Sequence, residues 1–266
     1  MPGLLTFSRD GVAYIVVFAL AVCLVCSVFV AASAVYLKPL QVANAQIDKR
    51  RNILQVAELY QPGDDVNEVF NERLEPRIVN LETGEFAEDI DPAEYDQREA
   101  ARDPQMSVNV PRGEDIAGIK RRAKYAEVYL ARDENGELSA IILPVHGYGL
   151  WSTMYGFLAL EPDANTVIGL KFYEQGETPG LGGEVENPKW RALWDGKKVY
   201  GEDGEVRLSV IKGAVGPDTP QKEHKVDGLS GATLTSRGVS SMIHYWLGER
   251  GFEPFLDRIR EQSESV

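Results

Sequence analysis

The stretch Asp227-Gly228-Leu229-Ser230-Gly231-Ala232-Thr233-Leu234-Thr235-Ser236 decides how the rest of the chain is read. Gly228 and Gly231 let a backbone come close to a ligand, and Ser230, Thr233, Thr235 and Ser236 place hydroxyls just ahead of a helical pattern, Val239, Met242, Ile243 and Trp246. Backbone N–H groups at such a helix start would face an anion, a phosphate being the usual one. An ordinary helix cap after a glycine turn has the same spacing. Taken alone, the stretch leaves both readings open.

Two loops upstream could serve a flat, partly apolar ligand, which needs an aromatic face and a few hydrogen-bonding groups at its edge. The first is His146-Gly147-Tyr148-Gly149-Leu150-Trp151-Ser152, between two strand patterns; the second is Tyr173-Glu174-Gln175-Gly176-Glu177-Thr178-Pro179-Gly180-Leu181-Gly182-Gly183. As residues only, the first also reads as a hairpin whose Trp151 packs on a sheet, and the second as an irregular loop.

The three segments, in this order, carry a resemblance. The 227–236 run resembles the flavinylation motif Asp-x-x-Ser/Thr-Gly-Ala-Thr, on which a flavin transferase esterifies the phosphate of FMN to the last threonine, here Thr233. The loops are similar to the Gly-x-Gly-Leu/Phe-Trp and Glu-Thr-Pro-Gly-Leu-Gly segments of FMN-binding domains. From anchor to C-terminus the chain resembles the family of the C subunit of the sodium-translocating NADH:quinone reductase (Nqr), a membrane complex of six different subunits. The G subunit of the Rnf electron-transport complex is a related alternative. Many relatives have a histidine two residues before the Glu-Thr-Pro-Gly segment; Gln175 here, together with the long 87–112 insertion, favours the Nqr family.

The resemblance implies a covalent FMN on Thr233, with Asp227, Gly228, Ser230, Gly231, Ala232, Leu234 and Thr235 around the tether. Leu150, Trp151 and Ser152 would line one side of the ring, Glu177, Thr178, Gly180 and Leu181 the other, and Lys212 would approach the pocket. It implies an electron carrier without catalytic residues of its own, taking electrons from an iron–sulfur centre and passing them to another flavin. At the level of the complex this is NADH to ubiquinone electron transfer coupled to sodium export. The alternative from another class is a membrane-anchored binding or assembly module without cofactor.

Working outward, Gly11 to Leu37 is a run of 27 residues without a charge. At about 1.5 Å per residue it reaches roughly 40 Å, enough for a hydrocarbon core of about 30 Å. The run is longer than the apolar region of a cleaved signal peptide and has only Arg9 as a basic flank, so a membrane anchor in the lipid bilayer is expected. Lys38, Lys49, Arg50 and Arg51 follow the span, which by the positive-inside rule would place the large domain in the cytoplasm. The resemblance implies a periplasmic domain on a bacterial inner membrane, where the transferase works, and that orientation is adopted.

The net charge of −13 argues against nucleic acid, whose binding rests on Lys and Arg neutralising phosphates. Cys23 and Cys26 stand three apart inside the span; they read as small apolar packing residues, since two ligands hold no cluster without partners. His146, His224 and His244 show no converging ligand spacing, so no metal site is expected.

The expected organisation is a tail over 1–10, a transmembrane helix over 11–37, a helical linker and N-terminal elaboration over 38–124, and an FMN-binding domain over 125–266. Within it, a helix is expected over 42–59, a short helix over 65–74, a small hairpin over 77–86, and a surface loop or short helical insertion over 87–112. The core is expected to begin near Tyr125. Strands are read at 125–131, 138–145, 155–160, 167–173 and 206–212, with an Asn-Gly hairpin tip at 135–136, and helices at 188–193, 239–247 and 253–260. The fold class is α+β, a single N-terminal transmembrane helix followed by an antiparallel-sheet domain.

Overall fold

The computed structural model describes residues 11–264, so the expected tail over 1–10 lies outside the described residues. The chain divides into two compact units, Met1–Asp48 and Lys49–Val266. Helix α1 (Val12–Val56) carries the apolar run. Among the described residues it is the one helix long and apolar enough to cross a membrane, with a mean hydropathy of 3.0 over a window in which no residue is buried. An apolar helix with no face turned to a core has the character of a lipid-exposed span. Its two serine hydroxyls are satisfied within the helix: Ser27 donates to the Leu24 carbonyl at 2.9 Å and Ser33 to the Phe29 carbonyl at 2.8 Å.

In the second unit the end of α1 buries Ile53, Leu54 and Val56. Helix α2 (Val66–Arg73) starts on Asp65, whose carboxylate accepts from the N–H groups of Asn67 and Glu68. It leads into β1 (Leu74–Asn80). After α3 (Gln97–Arg102), β2 (Ser107–Asn109) and β3 (Arg121–Ala123) form a separate two-stranded ribbon. Strands β4 (Tyr125–Arg132), β5 (Leu138–Tyr148), β6 (Thr153–Leu160) and β7 (Val167–Glu174) complete an antiparallel sheet of order β1-β4-β5-β6-β7.

The structure corrects several sequence expectations. The core does not begin near Tyr125: Leu74–Asn80 is a strand of the sheet, in register with Tyr125–Ala131. The 77–86 hairpin is short: the Val79–Phe86 bridge is framed by the Asn80 N–H on the Glu85 carbonyl and the Ala87 N–H on that of Ile78, while β1 also pairs along its whole length with β4. Pro76 fits an edge strand, where a missing N–H costs no ladder bond. The strand expected over 206–212 shrinks to β8 (Ser209–Val210), paired in parallel with β9 (Lys225–Val226). The helix expected from Val239 begins at Thr233.

After α4 (Pro188–Arg191) and the β8–β9 pair, α5 (Thr233–Trp246) packs on β5 and buries Val239, Met242, Ile243, Tyr245 and Trp246. Trp246 Nε1 donates to the His146 carbonyl at 2.6 Å, fixing helix to strand. Helix α6 (Glu253–Glu264) adds Phe255, Leu256 and Ile259 to the core. Each buried side chain of this size contributes about 1.5–3 kcal/mol, so the α5–β5 seam is a rigid base for whatever the start of α5 carries.

The three histidines have neighbours that account for them. His224 Nδ1 lies 2.7 Å from the Lys198 carbonyl and His244 Nε2 3.1 Å from that of Leu208. His146 lies against the rings of Tyr155 and Trp246, and its burial, with Arg98 nearby, pushes its pKa down to about 4.

Candidate functional site

The 227–236 stretch forms the entrance to α5. A Cβ on Gly228 would lie 2.3 Å from the Ile211 carbonyl oxygen, so only glycine lets this strand approach its neighbour. Gly231 takes a positive φ of 72°, turning the chain into the helix. Ala232 stands at the cap position and offers no side-chain hydrogen bond, whereas α2, α3 and α4 are capped by Asp65, Asp96 and Asn187. The first amides of α5 therefore have no side-chain acceptor, and an anion is the partner such a start accommodates.

The two threonines of the stretch lie on opposite sides of the first turn, as a spacing of two residues on an α-helix requires. Thr233 is exposed. Thr235 is 1% exposed and its hydroxyl donates to Glu177 Oε2 at 2.5 Å. Ser236 is also buried, and its Oγ accepts from the Leu229 N–H at 3.1 Å. Of the hydroxyls on this turn, Thr233 is the one that faces solvent.

Glu177, 5% exposed, joins the two Gly-rich loops to this turn. Its Oε1 accepts from the N–H groups of Leu150 at 3.0 Å, Trp151 at 2.9 Å and Ser152 at 3.4 Å, while Oε2 takes the Thr235 hydroxyl. Ser152 Oγ in turn accepts from the Gly176 N–H at 2.7 Å, and Gln175 Oε1 from the Glu177 N–H at 2.6 Å. Burial alone would raise the Glu177 pKa; the bonds from Thr235 and the three amides outweigh it and hold the carboxyl below its usual range. Such a group stabilises the fold above its unfolded value near 4.5, and that contribution is lost as pH falls through the lower folded value. The expected outcome is that Glu177→Gln is less stable than wild type at neutral pH and that the gap narrows on acidification. Urea midpoints measured across pH 3–7 check this, and a gap that widens toward acid contradicts it.

The remaining predicted residues fall around the same turn. Leu150, Trp151, Leu181 and Leu234 are exposed apolar side chains, Trp151 at 66%. Gly180 takes a positive φ of 75°, and the Thr178 carbonyl accepts from the Leu181 and Gly183 N–H groups. A Cβ on Gly231 would lie 2.9 Å from Leu181, which ties the second loop to the α5 entrance. The Ile211 N–H bonds the Val226 carbonyl and the Gly228 N–H bonds that of Gly213, so exposed Lys212 stands beside Asp227 and Gly228. Asp227 Oδ1 accepts from the Val215 N–H at 2.8 Å and Ser230 is exposed. Trp190, Trp194 and Trp246 are core residues, so Trp151 is the tryptophan left at the surface.

Sequence reasoning missed Tyr148 and the direction of Glu177. Tyr148 is half-exposed beside the first loop, its hydroxyl 3.4 Å from the Trp151 carbonyl; its place next to Gly149-Leu150-Trp151 was the available signal. The resemblance implies that Glu177 lines the ring, but its carboxylate is taken up by backbone amides, and no pattern of side chains announces partners of that kind.

Comparison with known proteins extends the picture. Residues 149–248 match the FMN-binding domain family. The chain is 53% identical over 246 residues to the C subunit of the Na(+)-translocating NADH-quinone reductase of Pseudomonas aeruginosa, covering 91% of this chain and 94% of that protein. It is 52% identical over 239 residues to the corresponding C subunit of Vibrio alginolyticus, covering 90% and 91%. Among solved structures it is similar to Shewanella oneidensis NqrC, with a TM-score of 0.75 and 37% identity, over 82% of this chain and 99% of that one.

Proposed function

We propose the function of this chain from a premise that its relatives establish: it belongs to the NqrC family, the C subunit of the Na(+)-translocating NADH-quinone reductase. It is part of that membrane complex and has an FMN-binding domain. The finer reading is that FMN is held covalently, by a phosphodiester to Thr233. The observation that carries it is the exposed Thr233 hydroxyl on the uncapped start of α5, rimmed by Leu150, Trp151, Leu181 and Leu234.

The residues fit the group. Open amides at the first turn of α5 suit a phosphate, and the exposed apolar side chains suit an aromatic ring system. Bound FMN supplies one-electron and two-electron redox chemistry. The chain's part is to tether it at Thr233, to cover a ring face with Trp151 and Leu181, and to offer Lys212 as a cation beside the tether. We propose that the protein takes electrons from an iron–sulfur centre in a neighbouring subunit and hands them to a second flavin, within a six-subunit complex matured by a flavin transferase. A yellow-fluorescent band that survives SDS denaturation is the expected result for purified chain coexpressed with a transferase; a dark band speaks for the cofactor-free assembly module.

The tether has a consequence for Trp151. A covalent link gives the flavin a high effective concentration at its pocket, so ring contacts tune the cofactor rather than retain it. Trp151→Ala is expected to keep full flavinylation yet shift the flavin's absorption and midpoint potential, since a stacked aromatic is worth about 0.5–1.5 kcal/mol and excludes water. Spectroelectrochemical titration reads this, and an unchanged spectrum and potential would remove the first loop from the site.

We further propose a single-pass inner-membrane protein with its large domain in the periplasm. Protease added to intact spheroplasts is then expected to remove nearly everything beyond Lys38 while an N-terminal label stays protected. The reverse pattern would support the orientation that the charges flanking the span suggest.

A further inference from the structure

Glu177 is the point at which three separate parts of the candidate site meet. One carboxylate oxygen gathers the amides of Leu150, Trp151 and Ser152, and the other holds the Thr235 hydroxyl on the first turn of α5. The same turn carries Thr233 on its outward side. The group is enclosed by backbone: a Cβ added to Gly149 would lie 2.5 Å from Oε1, and one added to Gly182 would lie 2.7 Å from Oε2 and 2.6 Å from Thr235 Oγ1. Glycine at 149 and 182 is what lets the backbone close on both carboxylate oxygens.

We propose that Glu177 is a positioning residue of the flavin site, setting Trp151 and its loop at a fixed distance and angle from the turn that bears Thr233, with Thr235 as its peg on that turn. The proposal rests on the reading of Thr233 as the FMN attachment site. Charge-assisted bonds to a carboxylate are about twice as strong as neutral ones, and a bond network shared by one group ties its members to a common geometry. A tether at Thr233 fixes only the phosphate end of the cofactor. Orientation of the ring against Trp151 has to come from whatever holds that loop to α5, and Glu177 is the side chain that bonds both. This gives the second threonine of the stretch a role distinct from the first. Thr233 would carry the cofactor, while Thr235 holds the carrier turn in place.

The test uses the full-length chain in detergent, coexpressed with a flavin transferase, as wild type, Glu177→Ala, Glu177→Gln and Thr235→Val. All four are expected to carry covalent flavin to a similar extent, since the outward Thr233 hydroxyl is untouched. The visible circular dichroism of the flavin is expected to be lost in Glu177→Ala, weakened in Thr235→Val, and largely kept in Glu177→Gln, whose carbonyl still accepts the three amides. Midpoint potential should follow the same order. Hydrogen exchange at residues 150–152 should be faster in Glu177→Ala than in wild type, a readout that does not depend on flavin. Wild-type dichroism, potential and exchange in flavinylated Glu177→Ala would overturn the proposal, as would loss of covalent flavin from a folded Glu177→Ala protein. If Glu177→Ala does not fold, Thr235→Val decides, because it deletes the peg and leaves the loop amides bonded; unchanged dichroism and potential in that variant overturn the proposal. Wild-type chain without covalent flavin would instead defeat the Thr233 reading, and exchange at 150–152 would still report on the positioning role.

Discussion

Thr233→Ala, coexpressed with a flavin transferase, is expected to give a folded chain with no covalent flavin, whereas Thr235→Ala is expected to be flavinylated and less stable. The two substitutions remove the same chemical group two residues apart and should separate completely. A phosphodiester needs a hydroxyl oxygen, and Thr233 offers one on the exposed side of the α5 entrance, where it has no role in packing. Its loss should therefore leave the fold intact and remove all SDS-resistant fluorescence. The Thr235 hydroxyl is buried and satisfies one oxygen of Glu177. Removing it leaves a buried, charged acceptor short of a partner, at a cost of about 1–3 kcal/mol. In-gel fluorescence and thermal melting of the two variants read both effects; fluorescence in Thr233→Ala with none in Thr235→Ala would exchange their roles.

Gly182→Ala is expected to have the second largest effect, on the geometry of the site and on stability together. The added methyl would stand 2.6 Å from Thr235 Oγ1, 2.7 Å from Glu177 Oε2 and 2.9 Å from Glu177 Cβ. These neighbours are not flexible ends free to move aside, because each is held by the bonds that join the loops to α5. Overpacking of this kind costs about 1–3 kcal/mol. For a unit of this size, about 2 kcal/mol corresponds to a fall in Tm of roughly 4–8 °C. The flavin, still tethered at Thr233, should show altered visible circular dichroism in the same sample. A wild-type Tm and flavin spectrum would mean that the 177–183 loop has more slack than its contacts indicate.

The apolar span, the hairpins from 125 to 174 and the loops at 149–152 and 177–183 were legible because each is encoded by local pattern: a charge-free run, alternation, turn residues. The elements that were not legible depend on distant partners. Arg77 to Asn80 reads as one arm of a small hairpin, but Glu75 and Pro76 give no strand signal, and the strand extends back to Leu74 and joins the main sheet because Tyr125–Ala131 lies beside it. Val206 to Lys212 looks like a strand by residue type, but its partners change along its length: Val206 bridges Tyr200, the Arg207 and Leu208 N–H groups bond the Val199 carbonyl, and only Ser209–Val210 forms a ladder, with Lys225–Val226. The start of α5 lies six residues ahead of its apolar pattern because its first residues, Thr233 to Gly238, are mostly polar or small where an apolar stripe would mark a helix. That polarity belongs to the site: the turn presents Thr233 to solvent and Thr235 to Glu177 in place of a hydrophobic face. Glu177 itself was singled out by resemblance to known flavin domains, while its bonds to Leu150, Trp151 and Ser152 follow from backbone positions that only the folded chain brings together.

The most direct measurement of the central claim is tandem mass spectrometry of the wild-type chain after coexpression with a flavin transferase. Lys225 and Arg237 bracket the attachment stretch, so trypsin releases a peptide of residues 226–237 that contains Ser230, Thr233, Thr235 and Ser236. The expected result is a peptide heavier by the mass of FMN less one water, with fragment ions that place the whole increment on Thr233. An unmodified peptide from a chain that has met the transferase, or an increment on Ser230, Thr235 or Ser236, would contradict the assignment.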